Sequence, residues 1–241
     1  MTRVPWRKSL VSVTLFWLTL FLILIALGTW QIYRLHWKEG LIAERHAAIT
    51  GPPIPLPETL AAAHGREFRH VKIEGRFLNG RELYFHAIAD DGTPGYHVFT
   101  PFRLDDGKIV LVDRGFVPEN RRDPATRPEG ILHGPVVVTG LLRLPPDRVP
   151  WFAPRNEVAR NLWFRLDLPA MAAADHLTDV LPIYVDADQS KIPGFLPIGG
   201  QTYTKLPNNH LQYALTWYGL AGLVPIYYIM FVRRILKERR A

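Results

Sequence analysis

One histidine stands where a polar segment meets a long apolar one, and it is the group there that suggests chemistry. His210 follows Asn208 and Asn209, and residues 211–232 carry no charge. A neutral imidazole is a ligand for iron and other transition metals. The structural alternative is that an asparagine caps a helix and the imidazole lies in the headgroup layer of a membrane. The residues alone favour this alternative without excluding metal binding.

Four further side chains lie near the same boundary and would form a site with the histidine. Gln31 and Arg34 end the other long apolar segment at i, i+3 spacing, which places them on one helical face. Tyr213 and Trp217 share a helical face with His210. Such a face can hold a planar iron macrocycle, whose carboxylates Arg34 would neutralise. The alternative is two antiparallel helices that pack through small residues beside an aromatic belt.

The rest of the sequence offers no catalytic group. There are no cysteines, which excludes disulfides, thiolate metal sites and a cysteine nucleophile. No nucleophile elbow, His-Glu-x-x-His motif or glycine-rich phosphate loop occurs. His86 and His97 lie on neighbouring predicted strands, but strand histidines are more often surface or hydrogen-bonded residues than metal ligands. Asp113-Arg114-Gly115 is interpreted as an ion pair and a glycine bend that close a strand.

The net charge of +7 is concentrated at the two ends of the chain. Residues 1–9 carry three basic groups and no acid, residues 233–241 carry five basic groups and one acid, and the 223 residues between them balance to zero. Basic residues that flank apolar helices hold those ends on the cytoplasmic side of a membrane. The charge therefore indicates membrane orientation, and no nucleic-acid partner is expected.

Two uncharged apolar runs, residues 10–32 and 211–232, are each long enough to cross a hydrocarbon core of about 30 Å. The first run exceeds the apolar part of a signal peptide, so a retained anchor is favoured over a cleaved one. The sequence therefore divides into five parts: a cytoplasmic tail (1–9), a transmembrane helix (10–33), an external domain with a helical stalk (34–209), a second transmembrane helix (210–232) and a second cytoplasmic tail (233–241).

The external domain has the pattern of short β-strands. Seven strand-length segments are separated by turn signals, at residues 71–77, 83–88, 96–104, 109–115, 136–144, 163–166 and 183–186. Asn79-Gly80 and Asp106-Gly107 are typical of hairpin turns, and residues 169–176 predict one short helix. The fold class is therefore membrane α+β. Two transmembrane helices, with both termini inside, flank an external antiparallel β-barrel-like or sandwich domain.

Five motifs stand in order along most of the chain. They are Gly28-Thr29-Trp30-Gln31-x-x-Arg34, Gly95-Tyr96-His97-Val98-x-Thr100-Pro101-Phe102, Val112-Asp113-Arg114-Gly115-Phe116-Val117-Pro118, Asn161-Leu162-Trp163 and Asn208-Asn209-His210-Leu211-x-Tyr213-Ala214-x-x-Trp217-Tyr218. Together they resemble the surfeit locus protein 1 family of cytochrome c oxidase assembly factors. Residues 52–64, 118–130 and 145–156 match no motif of that family, so the resemblance implies nothing about them.

The resemblance implies a non-catalytic role in maturing the catalytic subunit of a haem–copper oxidase. It implies haem a as the bound cofactor and His210 as the ligand of the haem iron, with Arg34, Gln31, Tyr213 and Trp217 in the same site. The implied partners are the oxidase catalytic subunit, the haem a synthesis machinery and membrane lipids.

Two rival functions stay open. The first is a structural scaffold that binds the oxidase subunit without haem. The second is a membrane haem-modifying oxidoreductase, which would need a second redox centre or an acid–base pair. The short basic N-terminal segment lacks the Arg- and Ser-rich pattern of a transit peptide. This predicts the inner membrane of a bacterium, with the central domain in the periplasm.

Overall fold

The structure of the chain is a computed structural model that describes residues 6–148, 151–189, 196–200 and 206–238. The chain divides into two compact units, Met1–Glu44 with Lys205–Ala241, and Arg45–Thr204. We name them the helical unit and the barrel unit. Three arginines of the predicted basic tails, Arg3, Arg239 and Arg240, lie outside the described residues.

The helical unit contains two long helices. Helix α1 (Trp6–Thr50) continues without a break past residue 33, where the sequence predicts its transmembrane part to end. Gly51-Pro52-Pro53 follows it directly, as predicted for the stop of the stalk. Helix α4 (His210–Glu238) is the second long helix. Both helices are long and apolar enough to cross a membrane, judged by length and composition, which confirms the two predicted apolar helices.

Helices α1 and α4 run antiparallel and pack through one narrow seam. Leu24, Ala221 and Val224 are buried in it, and Trp17 and Trp217 pack against them. Within residues 11–30 of α1 and 211–232 of α4, the other faces expose mainly large apolar side chains. An apolar surface of this extent is typical of helices surrounded by lipid, where close packing of small residues replaces the hydrophobic effect between helices.

The barrel unit is built from strands, with two short helices among its described residues. Its elements are α2 (Leu60–Ala63), β1 (His70–Phe77), β2 (Leu83–Ile88), β3 (Pro94–Leu104), β4 (Ile109–Pro118), β5 (Val136–Arg143), β6 (Leu162–Trp163), α3 (Leu168–Ala174) and β7 (Val180–Ala187). Strands β1, β5, β7, β4 and β3 form a ring, because β1 pairs with both β5 and β3. Strands β2 and β6 extend the sheet from β3. The barrel-like domain is thus confirmed.

All seven predicted strand segments overlap an observed strand, and β6 shares only one residue with its prediction. The sequence predicts a strand over residues 163–166, whereas β6 ends at Trp163. The backbone N–H groups of Phe164 and Arg165 donate to Asn156 Oδ1, at 2.9 and 2.8 Å, rather than to a neighbouring strand. The Asn156 side chain therefore ends the pairing of β6. The alternation of apolar and polar residues does not predict such a contact.

Two strand pairs are parallel, so the sheet is mixed rather than antiparallel throughout. Strand β4 pairs in parallel with β7, and β2 with β6. Parallel neighbours need a long connection, and the chain between Pro118 and Val180 supplies one that includes β5, β6 and α3. The prediction of an antiparallel sheet assumed that strands joined by short links are neighbours. It is wrong for these two pairs, because the order of strands in the sheet differs from their order in the chain.

One of the two predicted hairpin turns is wrong and the other is confirmed. Strands β1 and β2 do not pair with each other, and Asn79-Gly80 lies in a 3-10 turn between them. The Asn79 side-chain amide donates to the carbonyl of Leu132 at 2.8 Å. Asp106-Gly107 does join the paired strands β3 and β4, and the positive φ of 91° at Gly107 is one that glycine adopts readily.

Strand β4 lies at the centre of the barrel core. Every residue of β4 before Pro118 is buried, because the strand lies between β3 and β7. Val110 and Val112 belong to one apolar cluster and Leu111 to another, as alternation in a strand requires. Asp113 and Arg114 continue the same strand, so each must find polar partners inside the domain.

Candidate functional site

The imidazole of His210 is held by an amide side chain from the other helix. His210 is the first residue of α4, and its Nδ1 lies 2.7 Å from Oε1 of Gln31 on α1. The backbone N–H of His210 donates to Asn208 Oδ1 at 3.4 Å. The Asn208 side chain therefore closes a turn just before the helix, while the imidazole joins the two helices.

The hydrogen bond to Gln31 determines which imidazole nitrogen is free. The amide oxygen of Gln31 only accepts, so Nδ1 of a neutral His210 carries the proton and Nε2 carries the lone pair. No hydrogen-bond partner of Nε2 occurs within the described part of the chain. The side chain of Gln31 is nearly buried, with 9% of the residue exposed. A fixed ring with a free Nε2 is the arrangement of a histidine ready to bind a metal.

A close helix crossing lies one turn away from this pair. The ring of Tyr218 packs on Gly28, where an added Cβ would lie 2.7 Å from the ring. The Tyr218 hydroxyl shares a hydrogen bond of 3.1 Å with Thr29 Oγ1. Gly28 precedes Gln31 by three residues, so this contact sets the helix register that brings Gln31 to His210. No positioning role was predicted from the sequence for Gly28, Thr29 or Tyr218. A glycine three residues before a polar residue in an apolar helix is a signal that could have indicated it.

The structure separates the remaining predicted site residues. Trp217 is half-buried in the helix seam beside Ala221. Tyr213 is exposed. The guanidinium of Arg34 lies 4.2 Å above the ring of Trp37 on an exposed face of α1. In the described part of the chain, Gln31 is the one predicted site residue that contacts His210 through a hydrogen bond.

The barrel unit contains a buried cluster of charged residues, which we name the Glu82 cluster: Glu82, Tyr84, Arg114 and Arg127. Both guanidinium groups face the Glu82 carboxylate. Arg127 donates to both of its oxygens, 3.2 Å from Oε1, and Arg114 Nη1 lies 3.6 Å from Oε1. The Tyr84 hydroxyl donates to Oε2 at 3.0 Å. The predicted ion pair of Arg114 is confirmed, with Glu82 as its carboxylate.

Burial shapes the protonation of this cluster. Burial and the charge of Arg127 lower the pKa of Arg114 to about 10, against the opposing effect of Glu82. Burial, the charge of Glu82 and the hydrogen bond to it raise the pKa of the Tyr84 hydroxyl. Arg114 also donates to the carbonyl of Gly130. These groups are buried and paired by charge, although Arg114 Nη1 has no hydrogen-bond partner among the described residues, so we interpret the cluster as structural.

Asn161 connects a loop to this cluster. Its backbone is left-handed, with φ at 50°, and its side-chain amide donates to the Glu82 carbonyl at 2.7 Å. Its Oδ1 accepts from the indole N–H of Trp163 at 3.0 Å. Asparagine tolerates the left-handed region better than most residues. The Asn161-Leu162-Trp163 motif is thus explained by a turn that holds a buried tryptophan.

His97 pairs with a carboxylate on the neighbouring strand. Its Nδ1 lies 2.7 Å from Asp113 Oδ2, and Asp113 Oδ1 accepts the N–H of Gly115 at 2.9 Å. Burial alone would lower the pKa of His97, but the charge and hydrogen bond of Asp113, together with Asp186, outweigh burial and raise it. His86 instead stacks on Phe164, so the two strand histidines do not form a pair.

No group of three or more His, Asp or Glu residues that could hold a metal ion occurs in residues 6–148, 151–189, 196–200 and 206–238. A haem iron differs from such an ion, because the macrocycle supplies four ligands and the protein needs to supply only one or two. His210 alone is therefore a sufficient donor for that type of site.

The sequence is similar to one family of proteins over most of its length. Residues 18–222 match the SURF1 family. Surfeit locus protein 1 of Mus musculus is 42% identical over 236 residues, covering 89% of this chain and 76% of the mouse protein. The Homo sapiens protein of that name is 40% identical, over 90% of this chain and 73% of the human one. A SURF1-like protein of Drosophila melanogaster is 36% identical, over 89% and 78%.

Proposed function

Because this chain belongs to the SURF1 family, whose members are generally known as cytochrome c oxidase assembly factors, we propose that it assists the assembly of a haem–copper oxidase by holding haem a through His210. Its role is non-catalytic: it keeps the haem as cargo and presents it to the catalytic subunit. The haem a synthesis machinery is the source of that cargo, and the oxidase subunit is its destination.

The hydrogen bond between Gln31 and His210 carries this proposal. Histidines that bind metals generally donate their second ring N–H to a neighbouring acceptor, which fixes the tautomer and the ring orientation. Here Gln31 provides that acceptor at 2.7 Å and Nε2 is left to bind iron.

The surrounding side chains suit a flat, mainly apolar ligand with charged edges. The exposed Tyr213 offers aromatic surface in the first turn of α4, and Trp217 lies one turn further on, half-buried in the helix seam. Arg34 lies three residues after Gln31 on an exposed face of α1, where it would pair with a haem carboxylate. When bound, the haem supplies a redox-active iron centre destined for the oxidase. The chain's own residues bind the iron, orient its ligand and neutralise the carboxylates.

The proposal includes membrane insertion of α1 and α4. Their length and apolar composition support it, and the basic residues at both chain ends favour a cytoplasmic location for the termini. The barrel unit would then face the outer side, which is the periplasm if the host is a bacterium. The relatives named above are eukaryotic. Reporter fusions at Gly130 and Ala241 should give opposite compartments, and the same compartment for both would contradict this topology.

The decisive experiment is the visible spectrum of the full chain purified from cells that make haem a. The wild type should carry haem, and His210→Ala should lose it or shift its bands, because an alanine methyl offers no lone pair to iron. Gln31→Leu should bind about 10–100-fold more weakly, since it removes only the orienting partner. His133→Ala is the matched control, because His133 is an exposed histidine of the barrel unit.

Oxidase yield in the same cells separates the rival functions. A scaffold without haem predicts no haem in any preparation and assembly defects only from barrel-unit variants. An oxidoreductase needs a second redox centre or an acid–base pair, whereas the partner that the structure provides for His210 is a non-ionisable amide. A His210→Ala chain with the haem content and spectrum of the wild type would contradict the ligand assignment, whatever the oxidase yield.

A further inference from the structure

The loop between β5 and β6 exposes two neighbouring aromatic side chains. Trp151 is 91% exposed and Phe152 is 72% exposed. Their rings contact each other edge to face, with centroids 5.8 Å apart. Aromatic side chains of this size bury about 150–250 Å² each when they find a partner. Leaving both in water therefore has a cost that calls for a function.

The base of this loop is firmly bonded, so the exposure is a property of the folded loop. Asn156 accepts two backbone N–H groups through Oδ1 and donates to the Arg165 carbonyl at 3.0 Å. The Arg165 guanidinium donates to the carbonyls of Ala153 and Pro154, at 2.9 Å from Nε to the latter. These bonds hold the chain directly after the aromatic pair. The side chains of Trp151 and Phe152 point outward from this fixed part of the loop.

The exposed charges nearest the aromatic pair along the chain sum to a positive charge. Arg148 and Arg155 are exposed on either side of it, and Asp147 is exposed beside Arg148. The next acidic residue, Glu157, is paired with Arg160 at 2.9 Å. Tryptophan and phenylalanine flanked by arginine are typical of protein segments that lie in the headgroup layer of a membrane, where the apolar rings enter the interface and the cations meet anionic lipids.

We propose that Trp151 and Phe152 insert into the headgroup layer of a bilayer that contains anionic phospholipid, with Arg148 and Arg155 binding the lipid phosphates. Two aromatic side chains offer about 400 Å², roughly half the 800 Å² per partner that a stable protein interface needs. That area suffices for an additional contact of a chain already anchored. Helix α1 leads the chain into the barrel unit, and the loop contact rests on the proposed insertion of α1 and α4.

The chain has no cysteines, so single labelling sites can be introduced without removing any. The full chain is reconstituted in vesicles of phosphatidylcholine and phosphatidylglycerol that contain a lipid nitroxide quencher. An environment-sensitive fluorophore is attached at Phe152→Cys. Ile88→Cys is the matched control, because Ile88 is an exposed apolar residue of the same unit, and Leu215→Cys reports the insertion of α4.

The fluorophore at position 152 should be quenched by lipid nitroxides and protected from aqueous iodide, whereas that at position 88 should show the reverse. Adding Arg155→Ala should lower the ratio of docked to undocked loop about fivefold, because one arginine near an anionic surface contributes on the order of 1 kcal/mol. The same substitution at the exposed Arg66 should leave the ratio unchanged. Pure phosphatidylcholine and high salt should weaken docking as well.

Three results would overturn the proposal, and they are distinguishable. Quenching at 215 but not at 152 leaves the helices in the membrane and refutes the loop contact alone. No quenching at 215 refutes the membrane insertion and the loop contact together. Protection at 152 that appears only when the oxidase subunit is added would identify the aromatic pair as a protein-binding surface instead.

Discussion

The helical unit and the barrel unit both place polar side chains away from water, but the partners of these side chains differ in charge. In the barrel unit, the Glu82 carboxylate accepts from Arg127 and Tyr84 and faces Arg114. In the helical unit, His210 has one bonded ring nitrogen and one with no hydrogen-bond partner among the described residues. The first arrangement encloses opposite charges inside the fold, although Arg114 Nη1 has no hydrogen-bond partner among the described residues, whereas the second pairs a neutral amide with an imidazole that has one unbonded ring nitrogen.

The comparison also separates motifs by their role. The barrel-unit motifs supply residues such as Arg114 and Asn161, whose partners all lie within the domain. The first and last motifs supply Gln31, His210 and Tyr218, which join two helices. Substitutions in the barrel motifs should therefore act through the amount of folded protein, and those in the helix motifs mainly through ligand binding.

The largest expected effect is at the Glu82 cluster. Glu82→Ala leaves two guanidinium groups without their carboxylate inside the domain, which should cost about 3–5 kcal/mol of unfolding free energy. Arg114→Ala should fall in the same range. Urea unfolding and limited proteolysis of the full chain measure the loss. Glu74→Ala is the control, because its ion pair with Lys72 is exposed and should contribute less than about 1 kcal/mol. Equal losses for Glu82 and Glu74 would show that the cluster is hydrated.

The next effect is expected at the helix crossing. Gly28→Leu forces a side chain against the Tyr218 ring, and overpacking of this kind costs about 1–3 kcal/mol. The displaced helices should also separate Gln31 from His210 and lower the haem content. Denaturing-detergent titration and haem content per protein test both consequences. Gly219→Leu should be nearly silent, since an added Cβ there meets nothing within 4 Å. Wild-type haem content in Gly28→Leu would remove the link between register and ligand binding.

A smaller, pH-dependent effect is expected at His97. Its raised pKa in the folded state stabilises the domain fully below the unfolded pKa of about 6.5, and that contribution disappears as pH rises through the folded pKa. His97→Gln should therefore flatten the loss of stability between mildly acidic and alkaline pH. Chemical unfolding over that range measures the slope, with His133→Gln as the control. A slope in His97→Gln equal to that of the wild type would assign the pH dependence to other groups.

The smallest effect is expected for Tyr218→Phe. The substitution removes only the hydroxyl that bonds Thr29, and interhelical hydrogen bonds in membranes average about 0.6 kcal/mol. Tyr227→Phe is the control, since Tyr227 is exposed on the same helix. Denaturing-detergent titration should resolve a small loss for the first variant and none for the second. A loss as large as that of Gly28→Leu would mean that the hydroxyl, rather than the close packing, holds the helices together.

The strand segments were predictable because alternation and turn residues are local signals, as at Asp106-Gly107. Asn79-Gly80 misled the prediction, because the same turn chemistry serves a hairpin and a bend that links strands which do not pair. The parallel pairing of β4 with β7 was not predictable, since it depends on strand order across distant segments.

The site was predictable in part for similar reasons. The sequence indicated Gln31 and His210 by their polarity at the apolar boundary, but their hydrogen bond depends on a helix register set through Gly28. Spacing placed Arg34 on the face of Gln31, yet only Gln31 turns into the seam. Glu82 was missed because one acid beside a strand resembles any surface charge, although its spacing of two from Tyr84 places both on one strand face.

The position of β4 in the ring has a consequence for the order of synthesis. Strand β4 ends at Pro118, and its parallel neighbour β7 begins at Val180. At roughly 5–20 residues per second, a nascent chain exposes one edge of its most apolar strand for several seconds before β7 is made. Unpaired apolar edges of this kind associate with other chains. A nascent chain must therefore be shielded until β7 emerges, and a chain truncated before Val180 should aggregate rather than form a smaller barrel.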